Sequence, residues 1–353
     1  MRAPAERPNL LDFDLPGLTA RLAGWGYSGF HAMMVWSYLY RHHATAVAAM
    51  SELRPDLRAR LQAETVLRWP ELVLAQRSGD GTRKFLLRLD DGEVVEAVLM
   101  PYRDRYTACI STQVGCAMGC VFCATGQMGF TRHLSAGEIT GQILFLQQAA
   151  GDEARELRNI VFMGMGEPLH NYEATMRAVD ILTDDRGLAF GPRHLTLSTV
   201  GLPAAIRRLA DEERPVNLAV SLHGATDAAR QALVPVARHW SLAELLEACR
   251  YYVDKRGRHI FFEWTLIAGE NDTAEQAHAL GELLQELDGH VNLIPLNPTG
   301  EYEGTPSQRE AIRQFKAILD GYGLPSTVRQ RRGIDIDAGC GQLRKRAGLA
   351  PAP

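Results

Sequence analysis

From about residue 105 onward, short β-rich runs alternate with longer amphipathic segments, and nothing else in the chain constrains its fold as strongly. The β-rich runs are TACIST, NIVFMGM, HLTLSTVG, VNLAVSLHG, HIFFEWTLIAG, HVNLIPLN and STVRQRR. Between them lie helical segments such as AGEITGQILFLQQAA, EATMRAVDILT, AAIRRLADE, LAELLEACRYYVDK, AEQAHALGELLQEL and REAIRQFKAILDGYG. Capping-box pairs open four of the helices: Ser135 with Glu138, Ser241 with Glu244, Thr273 with Gln276, and Ser307 with Glu310. Parallel strands need a crossover between them, so repeated βα units predict a parallel sheet flanked by helices. An incomplete barrel and a doubly wound sheet both satisfy the spacing. In either, ligands meet the strand ends and the loops that follow them.

Upstream the pattern changes. The first 75 residues carry helical runs around PGLTARLAGWG, FHAMMVWSYLYRHH and ELRPDLRARLQ with no strand signal, which predicts a small helical accessory domain over residues 1–78. Asp90-Asp91-Gly92 separates two β-rich runs, so residues 79–104 read as a hairpin linker into a catalytic domain over 105–345, with 346–353 as a tail. No apolar run reaches the ~20 residues needed to span a bilayer, and the N-terminus lacks a secretory pattern, so a cytoplasmic protein without membrane contact is expected. The net charge of −4 gives no overall footprint for nucleic acid. Near the C-terminus, however, Arg329, Arg331, Arg332, Arg344, Lys345 and Arg346 outnumber Asp335 and Asp337. Nothing in the sequence calls for more than a monomer.

The chemistry concentrates at strand ends. Cys116, Cys120 and Cys123 form a CxxxCxxC loop just after TACIST, with Phe122 before the last cysteine and glycines at 115, 119 and 126. Three thiolates at this spacing hold a 4Fe-4S cluster and leave its fourth iron free to chelate the amino and carboxylate groups of S-adenosylmethionine (SAM). A zinc site completed by Cys109, or three unconnected thiols, are the plainer readings; zinc loops normally use paired CxxC units. Gly164, Gly166 and Glu167 follow NIVFM, placing open backbone and a carboxylate beyond a strand. Ser198, Ser221, His223 and Asn297 end other strands. Cys340 lies in the glycine-flanked turn AGCGQ, Cys109 precedes the cysteine loop, and Cys249 reads as core.

Over nearly its whole length the chain resembles the RlmN-type adenine carbon-2 methyltransferases of 23S ribosomal RNA. The matching segments are GCAMGCVFCATGQMGFTRHL, FMGMGEPLHNY, LTLSTVGL, LAVSLHGATDAARQALVP, VNLIPLNP and RRGIDIDAGCGQL. The Cfr-type carbon-8 methyltransferases share this architecture and both extra cysteines. A non-enzymatic iron-sulfur or zinc protein that binds RNA is the reading from another class.

The resemblance implies an α/β fold: a partial (βα)6 radical SAM barrel with a small helical N-terminal domain. It also implies two SAM molecules per turnover. Cys340 would accept a methyl group from the first, and the deoxyadenosyl radical from the second would activate that methyl for addition to the electron-poor carbon 2. Glu96 would accept the departing proton, and Cys109 would release the product through a transient disulfide with Cys340. Gly166, Glu167, Ser198, Ser221, Leu222, His223 and Asn297 would contact SAM. The implied partners are 23S rRNA, tRNA anticodon loops, and an electron donor such as flavodoxin or ferredoxin. One departure stands out: His31, Met33 and Met34 occupy the accessory-domain run where the family carries basic and amide side chains.

Overall fold

The computed structural model describes residues 7–343, so Arg344, Lys345, Arg346 and the tail lie outside the described residues. The chain opens with three helices: α1 (Leu15–Ala23), α2 (Gly29–Tyr40) and α3 (Pro55–Glu64). Three antiparallel strands follow: β1 (Glu71–Arg77), β2 (Arg83–Arg88) and β3 (Val94–Pro101). Next come β4 (Tyr106–Cys109), β5 (Gln113–Gly115), α4 (Ala124–Gln127), β6 (Phe130–His133), α5 (Ala136–Ala150), β7 (Leu157–Phe162) and α6 (Tyr172–Thr183). The rest is β8 (Leu195–Thr199), α7 (Pro203–Asp211), β9 (Asn217–Ser221), α8 (Asp227–Leu233), α9 (Leu242–Arg256) and β10 (Ile260–Leu266), then α10 (Ala274–Leu284), β11 (Gly289–Pro295), α11 (Arg309–Gly321) and β12 (Ser326–Val328).

Strand order decides between the two architectures left open by spacing. The large sheet runs β1-β2-β3-β4-β7-β8-β9-β10-β11-β12, parallel from β4 onward. A doubly wound sheet reverses direction at a switch point, and this order never does. The result is an incomplete barrel of six βα units with β12 at its open edge. Successive helices pack side by side, α5 on α6, α7 on α9 and α10 on α11, as one outer layer. Leu197, Leu218, Val220, Phe262, Trp264 and Leu293 are fully or almost fully buried in the core.

Three readings of local structure need correction. β1 falls within the stretch assigned to the helical domain, and the boundary at 78 therefore cuts a β-hairpin. ELVLAQR was overlooked because an edge strand with mostly exposed or half-buried side chains shows little apolar alternation. Both boxes at Ser135–Glu138 and Ser241–Glu244 form, but Thr273 caps without a reciprocal bond from Gln276. Ser307 does not cap at all: the helix begins later, after Gln308, and Glu310 pairs with Arg313.

The accessory helices have a core of their own, with Leu11, Leu18, Trp36 and Leu61 buried against Leu144 of α5 and Ile181 of α6. Docking is tight at Gly137, whose N–H donates to Asp12 Oδ1 at 2.8 Å. A Cβ at 137 would stand 2.9 Å from the Leu11 backbone, so the approach requires glycine. Among the described residues no helix is long and apolar enough to cross a membrane.

Candidate active site

The cysteine loop leaves β5, enters α4 and is tied down along its length. Cys116 N–H donates to Gly129 O (2.8 Å), Val121 N–H to Leu233 O (3.1 Å) and Ala124 N–H to Gly341 O (2.7 Å). Gly115 has φ +76°, and a side chain there would collide with the Gly129 carbonyl across the β5–β6 hairpin. Cys116, Cys120 and Cys123 line a cavity of about 140 Å³. Burial pushes the Cys116 thiol up to about 12 and raises Cys120 as well. Behind them the Arg230 guanidinium is buried, donating to the Val200 carbonyl and facing Cys120.

Gly166, Glu167, Ser198, Ser221, His223 and Asn297 line the same cavity. Gly166 has φ +107°, and a Cβ would lie 2.6 Å from Gln113 Cβ. Gln113 Oε1 in turn accepts from the Glu167 N–H at 2.9 Å. The Glu167 carboxylate accepts from Leu169 N–H (3.0 Å) and Val200 N–H (2.8 Å), while burial pushes its pKa up to about 7. His223 sits at φ +58° with Nδ1 accepting from Thr265 N–H at 3.0 Å and its ring edge-on to Phe122. Burial pushes its pKa down to about 3, so it is neutral. Leu222 does not line the cavity; its side chain is buried in the barrel core.

A second cavity, of about 560 Å³, opens beside the first. Its lining includes Cys109, Tyr102, Arg105, Arg329, Arg331 and Arg332. Met163, Ile294, Asn297 and Cys340 belong to both linings and thus form the wall between them. Cys340 is exposed within this space, and Cys109 is buried, its thiol pushed up to about 12 by burial and further by the nearby Cys340. Both thiols are free, so the structure holds no disulfide between them. Cys249 is wholly buried in the core.

Glu96 lines neither cavity. Its carboxylate lies 3.1 Å from Lys84 Nζ in a buried ion pair, and Lys84 also donates to the Asp337 carbonyl beneath the Cys340 turn.

Among the described residues no three His, Cys, Asp or Glu side chains converge on a single-ion position. Cys109, the fourth ligand of the zinc reading, lines the other cavity. Three thiols around a space rather than a point, beside a buried carboxylate, fit a 4Fe-4S cluster with one iron open to a ligand.

The radical SAM superfamily pattern matches residues 110–280, and that of the ribosomal RNA large subunit methyltransferase N-terminal domain matches residues 8–67. The dual-specificity RNA methyltransferase RlmN 1 of Myxococcus xanthus is 60% identical over 95% of this chain and 94% of its own length. The chain belongs to the RlmN family of radical SAM RNA methyltransferases. A probable RlmN 2 of Opitutus terrae is 52% identical over 97% of this chain and 88% of its own. A crystal structure of a radical SAM methyltransferase from Sphaerobacter thermophilus superposes with a TM-score of 0.91 at 47% identity, covering 96% of this chain and 99% of that one.

Within this RlmN-family fold, the atypical run of the accessory domain lies on α2. Met33 and Met34 pack partly buried against the helical core, and His31 stands edge-on to Tyr27 and to the 70% exposed Phe30. Sequence reasoning passed over Gln113, Arg230 and Glu263. Each is a buried polar residue, and only a strand register or a packed helix shows what it faces.

Proposed function

We propose that this chain methylates carbon 2 of adenine in 23S rRNA and in tRNA, using Cys340 as the methyl carrier. The observation that carries this reading is the position of Cys340 in the wall between two cavities. One holds the three loop cysteines and Glu167; the other holds Cys109 and the arginines.

When bound to Cys116, Cys120 and Cys123, a 4Fe-4S cluster supplies the electron that cleaves SAM to a deoxyadenosyl radical. The residues do the rest. Glu167 accepts from the SAM ammonium, while Gly166, Ser198, Ser221 and the backbone at Leu222–His223 receive the rest of the molecule. Asn297 pins the Cys340 turn. Cys340 takes the methyl from one SAM and presents it to the radical made from a second. The deoxyadenosyl radical takes a hydrogen atom from that methyl, leaving as 5′-deoxyadenosine, and the carbon radical adds to carbon 2. The radical adduct then gives its carbon-2 proton to Glu96 and its surplus electron back to the oxidised cluster, while Cys109 attacks Cys340: the S–S bond forms, the S–CH2 bond breaks, and the Cys109 thiol proton completes the methyl group of the freed product. A cellular thiol resets the pair.

Adenine enters the second cavity from a loop or single strand, where a base can be turned out of its stack. Tyr102 at its mouth is 41% exposed and lies under the guanidinium of Arg332 at 4.5 Å, a platform suited to a neighbouring base and phosphate. The electron donor is a flavodoxin or ferredoxin, the site of action is the cytoplasm, and the protein acts as a monomer.

Incubation of the reconstituted enzyme with rRNA and tRNA, followed by mass spectrometry of the nucleosides, tests the assignment. 2-Methyladenosine is expected. A methyl at carbon 8 would move the chain to the Cfr-type reaction, and RNA binding without SAM cleavage would favour the non-enzymatic reading.

A further inference from the structure

Glu263 and Arg329 form a pair beside Cys340 that the reaction scheme above does not use. Strand register assembles it. Glu263 of β10 lies opposite Asn292 of β11, which lies opposite Thr327 of β12. Arg329 extends that edge, donating its N–H to Leu293 O at 2.8 Å. Asn292 Nδ2 and Arg329 Nη2 thereby converge on Glu263 Oε1, at 2.9 and 2.8 Å. Glu263 is buried and lines the first cavity, and its Oε2 has no hydrogen-bond partner among the described residues.

The guanidinium is held on a second side by Met163 Sδ, 3.8 Å from Nη1. Glu263 fixes the fork, and the guanidinium lines the second cavity together with Cys340, where its charge favours the thiolate. Arg329, Glu263, Cys123 and Cys109 act on that thiol, and Arg105, Arg331 and Arg332 line the same cavity. Arg329 is the one of these arginines that is tied to Glu263, whereas Arg331 reaches the Cys340 turn through Asn297. A carboxylate that served only to close a sheet edge would gain nothing from burial, because desolvation costs it several kcal/mol. Here the carboxylate aims the arginine.

We infer that Arg329, clamped by Glu263, is a positioning residue that holds the Cys340 thiolate for attack on the methyl group of SAM. This rests on the methyl-carrier reading of Cys340. The thiol proton leaves to solvent through the open side of the cavity. The thiolate forms an S–C bond to the methyl carbon as the sulfonium S–C bond breaks, giving a neutral thioether and S-adenosylhomocysteine. A thioether is a weak acceptor, so the hold on sulfur lapses once the methyl has arrived.

Two measurements on the full chain test the inference, both read by mass spectrometry of the tryptic peptide 333–344. In protein purified without its cluster, iodoacetamide labelling of Cys340 at neutral pH should slow about tenfold or more in Arg329→Gln, the scale of one lost charge-assisted hydrogen bond. Arg329→Lys should recover part of it, and Glu263→Gln should fall between. In the reconstituted enzyme, SAM-dependent methylation of Cys340 should slow about 10- to 100-fold in Arg329→Gln, with half-saturation by SAM and iron content unchanged. Parental rates of labelling and methylation in Arg329→Gln would overturn the inference, as would equal loss of rate, SAM binding and iron in the Gln and Lys variants. An unmethylated Cys340 in the parental enzyme would overturn the methyl-carrier reading, and this inference with it.

Discussion

The Asn297 side chain bridges two segments of the site: Nδ2 donates to the Cys340 carbonyl at 3.0 Å, and Oδ1 accepts from Arg331 Nε at 3.2 Å. A Cβ on Gly339 would stand 2.7 Å from that amide, so the turn is built around it. Asn297→Asp replaces the donor facing Cys340 with an acceptor. We expect at least a tenfold fall in RNA methylation with only about 1–2 kcal/mol lost in urea unfolding. Faster hydrogen exchange confined to the 338–342 turn would accompany it, and unchanged exchange there would contradict the bridging role.

Gly166→Ala tests the backbone cradle. The added methyl meets Gln113 at 2.6 Å and the backbone must keep φ +107°. The variant should lose about 2–4 kcal/mol and most SAM binding. Calorimetry showing parental SAM affinity would rule out the tight approach.

The raised pKa of Glu167 gives a signed pH dependence. Its folded pKa, about 7, lies above the ordinary glutamate value of 4.5, so the folded state binds the proton more tightly. Stability from this group is complete below about pH 4.5 and is lost as pH rises through 7, by about 3 kcal/mol in the unliganded chain. Glu167→Gln removes that slope. Denaturant titrations at pH 5 and 8 should show the variant gaining on the parent at the higher pH, and a constant gap would be the wrong result. SAM binding should fail in the variant at both.

Cys109 and Cys340 have separable roles. Cys109→Ala should still methylate Cys340 and attack RNA, then stall as a covalent protein–RNA adduct that survives denaturing gels. Release of free methylated RNA at normal yield would contradict the resolving role.

Glu96 is difficult to test alone because its loss leaves the Lys84 ammonium buried without its carboxylate. Glu96→Ala should cost about 3–5 kcal/mol. Adding Lys84→Met should recover most of that in thermal unfolding. If Glu96 is the proton acceptor, turnover stays lost in the double variant; recovery of activity with stability would reduce Glu96 to a structural partner.

Much of the barrel was legible because its strands are short β-rich runs set between longer amphipathic helices, two of them opened by capping boxes. TACIST, NIVFMGM and HLTLSTVG became β4, β7 and β8 for that reason. The cysteine loop was legible because three ligands sit within eight residues. What escaped reading depends on register. Glu263 looks like one polar position in FFEWTL, and only its pairing with Asn292 shows that its carboxylate is turned inward. Arg329 and Arg331 read as members of a charged tail. Just beyond β12, both line the second cavity with Cys340, and Arg331 reaches the Cys340 turn through Asn297. β1 was missed because its half-exposed edge carries little pattern.

The wall shared by the two cavities has a kinetic consequence. A methyl group bonded to Cys340 crosses the partition without either reactant doing so, and the donor and the RNA never have to occupy one volume. Such an arrangement predicts two separable half-reactions: a chain already carrying its methyl on Cys340, given SAM labelled in its methyl group, should first modify about one equivalent of RNA with unlabelled carbon, because that SAM serves only as the radical source until the carrier is reloaded.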